Sequence, residues 1–280
     1  MSTITISAAD VNKLRQQTGA GMMDCKKALM EANGDFEVAI DYLRKKGQKV
    51  AANRSDRDAK EGVVVGKTTD DGKRGVIVTI SCETDFVAKN ENFLAYSNSL
   101  LELALDKKPS SIEEFKTLSL NGISVADTLF DQIGKIGEKL ELSVYEVIEA
   151  PKVIVYNHPG FKLVAMVGLS SANAANIDEV GKDIAMQIAA MAPVAIDKGD
   201  VSSEMIEREI EIGKEQARQE GKPEDMLEKI AQGKLNKFYK ENTLLNQSFI
   251  KDDSKTIAQL LNETEKGLTI TAFKRIRLRA

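Results

Sequence analysis

The chain has 280 residues, of which 42% are hydrophobic and 29% charged, and 39 Lys and Arg against 43 Asp and Glu give a formal net charge of −4. At about 100–200 residues per domain, this length predicts two or three domains with cores of their own, and the composition excludes a mainly disordered chain. The single histidine excludes a His-rich metal site and paired His acid and base groups, and the mild acidity argues against a general nucleic-acid binder, although local basic patches can exist on an acidic protein.

Residues 1–52 begin with two short predicted helices. Ser7, with Asp10 three residues later, is typical of a helix N-cap with an acidic first turn, and Gly19 is expected to end that helix. The second helix should end at Gly34, because glycine favours the left-handed conformation of a helix C-terminus. Its predicted buried face carries Met22, Cys25, Ala28 and Leu29.

A third predicted helix completes this N-terminal module. Asp35 can cap it, and Gly47 is expected to end it after the basic turn Arg44–Lys46. Its predicted buried face carries Phe36, Ala39, Ile40 and Leu43. From Lys49 to Glu61 the sequence has many charges and no apolar period, so we expect a linker or a solvated helical extension and a domain boundary there.

The next segment predicts a β-hairpin followed by a helix. Two β-rich runs, Gly62–Thr68 and Arg74–Glu83, flank a turn at Gly72. In the second run one alternating face is uniformly apolar, and we expect it to point to the core: Val76, Val78, Ile80 and Cys82. The following helix is predicted to bury Phe93, Leu100, Leu101 and Ala104.

The same order of elements returns about 85 residues later along the chain. The apolar runs Pro151–Asn157 and Phe161–Leu169 flank a turn that contains His158, and Asn176–Met191 is a predicted amphipathic helix. The repetition indicates two similar α+β subdomains.

Three further segments complete the predicted fold. Ser124 can cap a helix that precedes a strand-like run, Leu142–Glu149. Residues 202–240 read as two charged amphipathic helices joined at Gly221, which predicts an antiparallel helical hairpin. The end of the chain is strand-like, with one basic face formed by Arg275, Arg277 and Arg279.

The sequence therefore predicts an α+β fold with an N-terminal three-helix (UBA-like) module and two similar α+β core subdomains with antiparallel sheets. An antiparallel helical hairpin, or coiled coil, is inserted in the second subdomain. The expected limits are 1–52 for the module, 53–150 for the first subdomain and 151–280 for the second, with the insertion at about 202–240.

Two short motifs invite a functional interpretation. Gly19-Ala20-Gly21 lacks the third glycine of a dinucleotide fingerprint and the Gly-Lys-Ser/Thr of a phosphate loop, so we expect a helix–helix turn rather than a nucleotide site. The adjacent Met22 and Met23 suit an adaptable partner surface, yet core packing of at least one of them is the better prediction.

Asp85-Phe86 lies where a strand ends and a helix has not begun. Residue preference favours Asp85 as a turn cap and Phe86 as a core side chain. The alternative is a protruding wedge, in which a phenylalanine at a loop tip beside a carboxylate inserts into a partner.

The remaining chemistry is sparse. His158 is expected to be a solvated turn residue, and the C-terminal arginines either bind phosphates or protect a strand edge. Cys25 and Cys82 are far apart and fit neither a disulfide framework nor a zinc site. No catalytic or metal-ligand spacing rises above chance, and we expect no cofactor.

The sequence also carries expectations about location. No stretch approaches the ~18 uninterrupted apolar residues of a membrane helix, and the start MSTITISAAD lacks the regions of a signal peptide. We expect a cytoplasmic protein that does not bind membranes.

Two motifs together resemble bacterial translation elongation factor Ts. They are Thr18–Leu29, TGAGMMDCKKAL, and Cys82–Lys89, CETDFVAK, and they occur in the family's order within a matching arrangement of modules over nearly the whole chain. The resemblance implies a guanine-nucleotide exchange factor that binds the GTPase elongation factor Tu and releases its GDP, without a catalytic site or direct nucleotide contact of its own.

The resemblance also implies roles for individual residues. Met22, Met23 and Lys26 would contact the partner's nucleotide-binding domain. Thr84 belongs to the Thr-Asp-Phe segment that enters between partner helices near the magnesium and phosphate sites, with Phe86 displacing a helix and Asp85 helping to hold it. The other implied contacts are Ile136, Gly137 and His158, and the helical hairpin can mediate dimerisation.

The sequence departs from the family pattern in two places. Pro159 separates His158 from Gly160, where many relatives read His-Gly directly, and the chain ends at Ala280, so an additional C-terminal contact helix is not expected. Two rival functions stay open: an RNA- or ribosome-binding protein that uses the terminal arginines and Arg44–Lys49, and an enzyme with a carboxylate or Lys centre.

Overall fold

The computed structural model describes residues 6–278 as two compact units of helices and strands. The first unit holds residues 6–65 and 77–145 with Leu278, and the second holds residues 66–76 and 146–277. The mixture of helices and antiparallel strand pairs confirms the predicted α+β class. The three-domain partition with limits at 52 and 150 stays a prediction.

The first unit begins with the predicted three-helix module: α1 (Ala8–Thr18), α2 (Met22–Glu31) and α3 (Phe36–Asn53). Ser7 and Asp10 form a reciprocal capping box, and Gly19 ends α1 in the left-handed conformation. The three helices enclose a small core of Val11, Leu14, Ala20, Cys25, Ala28, Leu29, Ala32 and Ala39.

The expected end of the third helix at Gly47 is wrong, because α3 continues to Asn53 and Gly47 is buried within it. A Cβ atom at Gly47 would lie 2.2 Å from the Phe130 carbonyl oxygen and 3.0 Å from the carbonyl carbon. The glycine therefore permits the close approach of α3 to a later helix of the same unit, rather than stopping α3. Of the two alternatives predicted for Lys49–Glu61, a linker or a solvated helical extension, the extension is therefore present as far as Asn53.

The first sheet consists of β1 (Glu61–Thr68), β2 (Arg74–Cys82) and β5 (Glu141–Glu149), in the order β1-β2-β5. The prediction that Val76, Val78, Ile80 and Cys82 face the core is confirmed, and the residues that alternate with them from Gly75 to Ser81 are buried as well. A central strand can bury both faces when its polar side chains are small and form hydrogen bonds. Ser81 meets this condition, because its hydroxyl lies 2.8 Å from the Ser143 hydroxyl.

Between β2 and β5 the chain forms α4 (Asp85–Ala88), α5 (Glu91–Lys107), α6 (Ile112–Thr117) and α7 (Val125–Ile136). A two-residue hairpin, β3 (Ser119–Leu120) with β4 (Ile123–Ser124), joins α6 to α7. The sequence analysis did not predict α6 or this hairpin. The predicted core residues of α5 and the Ser124 cap of α7 are confirmed.

The second unit contains the sheet β6 (Lys152–Asn157), β7 (Leu163–Leu169) and β10 (Ile270–Arg277), with β7 in the centre and both pairings antiparallel. Helix α8 (Ile177–Met191) packs on β6 and β7. In both sheets a hairpin comes first and the third strand joins beside its second strand. This shared order confirms the prediction of two similar α+β subdomains.

The insertion is the predicted antiparallel helical hairpin, α9 (Ser203–Gln219) and α10 (Glu224–Asn242), with Gly213 packed closely on Ala231. After it come β8 (Ser248–Phe249), β9 (Asp252–Thr256) and α11 (Ile257–Thr264), which the sequence analysis did not predict. No helix within residues 6–278 is long and apolar enough to cross a membrane.

Candidate protein-interaction surface

The Asp85-Phe86 segment forms the one-turn helix α4 at the carboxyl end of β2. Thr84 is its N-cap, and the Thr84 hydroxyl accepts a hydrogen bond from the Val87 amide at 3.4 Å. Asp85 was expected to be the cap, but it occupies the first helical position, where a carboxylate faces the positive end of the peptide dipoles.

Phe86 is 83% exposed, so the expectation from residue preference that it fills the core is wrong. No residue of α4 is buried, and the aromatic ring that does fill the core in this region is Phe93 on α5. Single exposed apolar side chains are common on protein surfaces, but Phe86 is the most exposed of the large hydrophobic side chains that the structure describes, so its ring is fully available for another molecule to contact.

An ion pair accompanies the exposed ring. The Lys89 ammonium donates a hydrogen bond to the Asp85 carboxylate at 2.6 Å, one helical turn away. This hydrogen bond, with the charge of Asp85, raises the pKa of Lys89 above its usual range. Phe86 therefore stands beside a charged pair on a short, well-defined turn.

Glu138, which follows α7, holds the start of this turn. Its carboxylate accepts hydrogen bonds from the Glu83 amide at 3.1 Å, the Thr84 amide at 3.0 Å and the Thr84 hydroxyl at 2.7 Å. The sequence analysis did not predict these hydrogen bonds, because a Glu in a loop more than fifty residues away shows nothing in the sequence about which amides it will meet.

Phe86 and Ile136 line the same surface groove, which has a volume of about 670 Å³. The other lining residues are Gly19, Val87, Asn90, Asn92, Phe93, Gln132 and Lys135. Ile136 is half-buried, and the next residue, Gly137, ends α7 with φ 79°. The structure thus brings two of the predicted contact segments together on one face of the first unit.

The N-terminal module reaches this groove through Gly19. A Cβ atom at Gly19 would lie 3.4 Å from Cε of Lys135, so the end of that lysine side chain packs on the α1–α2 turn. Burial of the Lys135 ammonium lowers its pKa, although the negative charge of Asp131 acts in the other direction and raises it. Gly19-Ala20-Gly21 is the predicted helix–helix turn, since Gly19 ends α1 and Gly21 precedes α2.

Met22, Met23 and Lys26 are all exposed. The expectation that at least one methionine packs in the core is wrong, because Met22 is 53% and Met23 74% exposed. Helix α2 begins at Met22, and its buried residues are Cys25, Ala28 and Leu29, so the methionines lie at the free first turn instead of over the core.

His158 lies in the other unit, in the turn between β6 and β7, and is exposed as expected. Its Nδ1 atom is 3.0 Å from the Tyr156 hydroxyl. It lines a cleft of about 550 Å³ together with Arg275 and Arg277. The Arg275 guanidinium donates to the Ala189 carbonyl at 3.0 Å, while Arg279 lies outside the described residues.

Two predicted properties concern metals and thiols. Among residues 6–278, no group of three or more His, Cys, Asp or Glu side chains is placed to hold a metal ion. Cys25 and Cys82 are both free and buried. Burial, reinforced by the charge of Glu138, raises the pKa of Cys82 to about 12, so its thiol is protonated and unreactive in the folded protein.

Comparisons with known proteins agree on one family. The family model described as "Elongation factor TS" matches residues 83–280. Elongation factor Ts of Cytophaga hutchinsonii is 54% identical over 279 residues, covering 99% of this chain and 100% of that protein. The proteins of the same name from Amoebophilus asiaticus and Porphyromonas gingivalis are 50% and 48% identical, over 98% and 99% of this chain and 99% and 100% of their own.

Proposed function

Because the chain belongs to the elongation factor Ts family and is therefore a translation elongation factor, we propose that it binds GDP-loaded elongation factor Tu and promotes release of the GDP. In this proposal the chain acts as a guanine-nucleotide exchange factor in the cytoplasm. The proposal assigns the chain no catalytic site, nucleotide site or cofactor of its own.

The observation that carries the proposal is the 83% exposure of Phe86 on a one-turn helix whose N-terminus is held by hydrogen bonds to Glu138. We propose that Phe86 enters between helices of the partner near its magnesium and phosphate sites and that Asp85 helps to hold the displaced arrangement. A short turn with a fixed backbone suits this task, because a flexible loop would lose conformational entropy on insertion.

The other proposed contacts surround this turn or extend the interface. Residues 1–52 would form the partner-binding module through Met22, Met23 and Lys26, and Ile136 with Gly137 would contact the partner beside Phe86. The exposed Met22 and Met23 on the first turn of α2, the exposed Lys26 that follows them, and a half-buried isoleucine in the same groove as an exposed phenylalanine support these assignments.

The proposed contact of His158, in the second unit, is with a partner region far from the nucleotide. The exposed ring at a hairpin turn supports this assignment. The two core subdomains, 53–150 and 151–280, would then carry separate parts of the interface, and the α9–α10 hairpin can support dimerisation.

Thermodynamic linkage explains why several contacts are needed. The exchange factor weakens GDP binding by the same factor by which GDP weakens binding of the exchange factor. Shifting GDP from about 99% to 1% occupancy requires a coupling free energy of about 5.5 kcal/mol. Burial of one Phe contributes only about 1.5–3 kcal/mol, so Phe86 cannot act alone and the dispersed contacts must supply the rest.

The test measures release of a fluorescent GDP analogue from elongation factor Tu with and without this protein. We expect a large acceleration that falls in Phe86→Ala and Asp85→Ala, but not in Val194→Ala. Val194 is a suitable control because it is 47% exposed, so the variant also removes an exposed apolar side chain. A folded protein that leaves the release rate unchanged would disprove the proposal.

A further inference from the structure

Two glutamates outside the proposed contact set connect two segments: the one-turn helix α4, called the Phe86 turn, and residues 136–139 at and after the end of α7, called the Ile136 segment. Glu83 immediately precedes the Thr84 cap of α4, and Glu138 lies two residues after the end of α7. Each carboxylate accepts hydrogen bonds from the backbone of the other segment, so the two connections run in opposite directions.

From the α7 side, the Glu138 carboxylate uses both oxygens. One oxygen accepts from the consecutive amides of Glu83 and Thr84, and the other accepts from the Thr84 hydroxyl. Those two amides stand between the end of β2 and the start of α4, where neither element provides them with a regular partner. Bonds from backbone amides to a carboxylate are charge-assisted and stronger than neutral ones.

From the β2 side, the Glu83 carboxylate accepts the Lys139 amide at 2.6 Å. Arg54 Nη1 lies 2.8 Å from both oxygens of the same carboxylate. Only 16% of the Glu83 side chain is exposed, so this group is committed to the protein rather than to solvent. The Lys139 ammonium extends the connection by donating to the Ser55 carbonyl at 2.7 Å.

We propose that Glu83 and Glu138 are positioning residues that form a reciprocal clamp, which joins the Phe86 turn and the Ile136 segment into one preorganised binding element. The inference rests on the proposed exchange function and deepens it. The clamp fixes the Thr84 cap, the cap fixes α4, and α4 fixes the direction in which Phe86 leaves the surface.

Preorganisation predicts how the clamp affects exchange. Without it the segment that carries the exposed ring must be ordered during insertion, and ordering that segment costs conformational entropy. We expect Glu138→Ala to lower the maximal exchange rate by about tenfold, with a smaller change in the concentration that gives half-maximal rate.

The first arm of the test uses the free protein and does not depend on the partner. Amide hydrogen exchange at Glu83 and Thr84 should accelerate at least about tenfold in Glu138→Ala, because the acceptor of both amides is lost. Glu138→Gln should restore part of the protection, since its amide oxygen can still accept from the backbone. Glu141→Ala, which removes an exposed glutamate at the start of β5, is the matched control and should leave both amides protected.

The second arm measures whether Glu138 acts through Phe86. In the Phe86→Ala background, adding Glu138→Ala should reduce exchange by less than about twofold, because there is no ring left to position. An equal loss in both backgrounds would show a general structural effect and overturn the proposal.

The two arms separate failure of the clamp from failure of the proposed function. If the wild-type protein does not accelerate GDP release, the exchange function fails, while the amide measurement still decides whether the clamp exists. Unchanged protection of Glu83 and Thr84 in Glu138→Ala, or full exchange activity of that variant, would overturn the clamp.

Discussion

At the scale of single residues, the proposed interaction surface depends on one exposed aromatic side chain and on the ion pair beside it. Phe86 is an aromatic ring in solvent, and the adjacent Asp85 is paired with Lys89 one turn away. The ring supplies apolar area for a partner to cover, and the ion pair adds fixed charge beside it. Substitutions at these positions should therefore affect the interaction more than the stability of the chain.

Phe86→Ala should reduce the exchange rate by about tenfold to a hundredfold, which corresponds to loss of about 1.5–3 kcal/mol of apolar burial. Binding to elongation factor Tu should weaken less, because the other contacts remain. Stopped-flow release of a fluorescent GDP analogue gives the rate, and calorimetry gives the affinity. Equal exchange rates for the variant and the parent would contradict the wedge.

Glu83 should make the stability of the chain depend on pH. Burial of its carboxylate opposes ionisation, but the Lys139 amide and the Arg54 guanidinium stabilise the charged form more, so the pKa of Glu83 lies below its usual value of 4.5. A depressed folded-state pKa contributes stability above the unfolded-state pKa, and this contribution is lost as the pH falls through the folded-state pKa.

The comparison of wild type with Glu83→Gln tests this effect. The difference in melting temperature should be constant between about pH 7 and pH 5.5, and it should shrink below about pH 4.5 as the wild-type carboxylate becomes protonated. Thermal unfolding followed by circular dichroism across this range gives the difference. A difference that grows on acidification would show that the carboxylate is not stabilised in its charged form.

At the scale of elements, the crossing of α3 and α7 fixes the N-terminal module within the first unit. Gly47 on α3 lies against the Phe130 backbone, and a Cβ atom at Gly134 on α7 would lie 3.3 Å from the Gly47 Cα atom. Two facing glycines let the helix backbones approach more closely than side chains would allow. The same approach places the Arg44 guanidinium 3.6 Å from the Asp131 carboxylate.

Gly47→Ala should destabilise the protein by about 1–3 kcal/mol or more, because the new methyl group would overlap the Phe130 carbonyl. The control is Gly233→Ala on α10, where a Cβ atom meets nothing within 4 Å. That variant should stabilise the chain by about 0.5–1 kcal/mol through helix propensity. Urea unfolding of both variants gives the values, and a neutral Gly47→Ala would mean that the two helices can separate without loss.

At the scale of the whole molecule, the two free thiols both lie in the first unit and report whether that unit is folded. Cys25 lies in the core of the three-helix module and Cys82 at the end of the central strand β2, and both are fully buried. A thiol reagent can reach them only when those regions open, so their reactivity follows local or global unfolding.

We expect no modification of either thiol within minutes in the native protein and modification of both in denaturant. Intact-mass spectrometry after treatment with a maleimide counts the labels. Lys13→Cys adds an exposed thiol on α1 and provides the positive control for reagent activity. Rapid labelling of native Cys82 would contradict its burial and its raised pKa.

The sequence by itself determined the order and type of most elements, because caps, glycine stops and hydrophobic periods act over a few residues. The N-cap at Ser7 with Asp10 in the first turn, the turn at Gly19 and the helical hairpin at 202–240 were all predicted in this way. The motifs Thr18–Leu29 and Cys82–Lys89 also indicated the family, since a short motif that matches a family's motif can be recognised without knowledge of the fold.

Tertiary structure decided which side of each element is covered. Gly47 lies inside α3, where its missing side chain lets α7 pack closely, and Phe86 is exposed while Phe93 is buried in the core. The hydrogen bonds of Glu83 and Glu138 also form only in the folded chain, because they join segments that are distant in sequence. Burial and hydrogen-bond partners depend on atoms that are distant in sequence, and local propensity carries no information about those atoms.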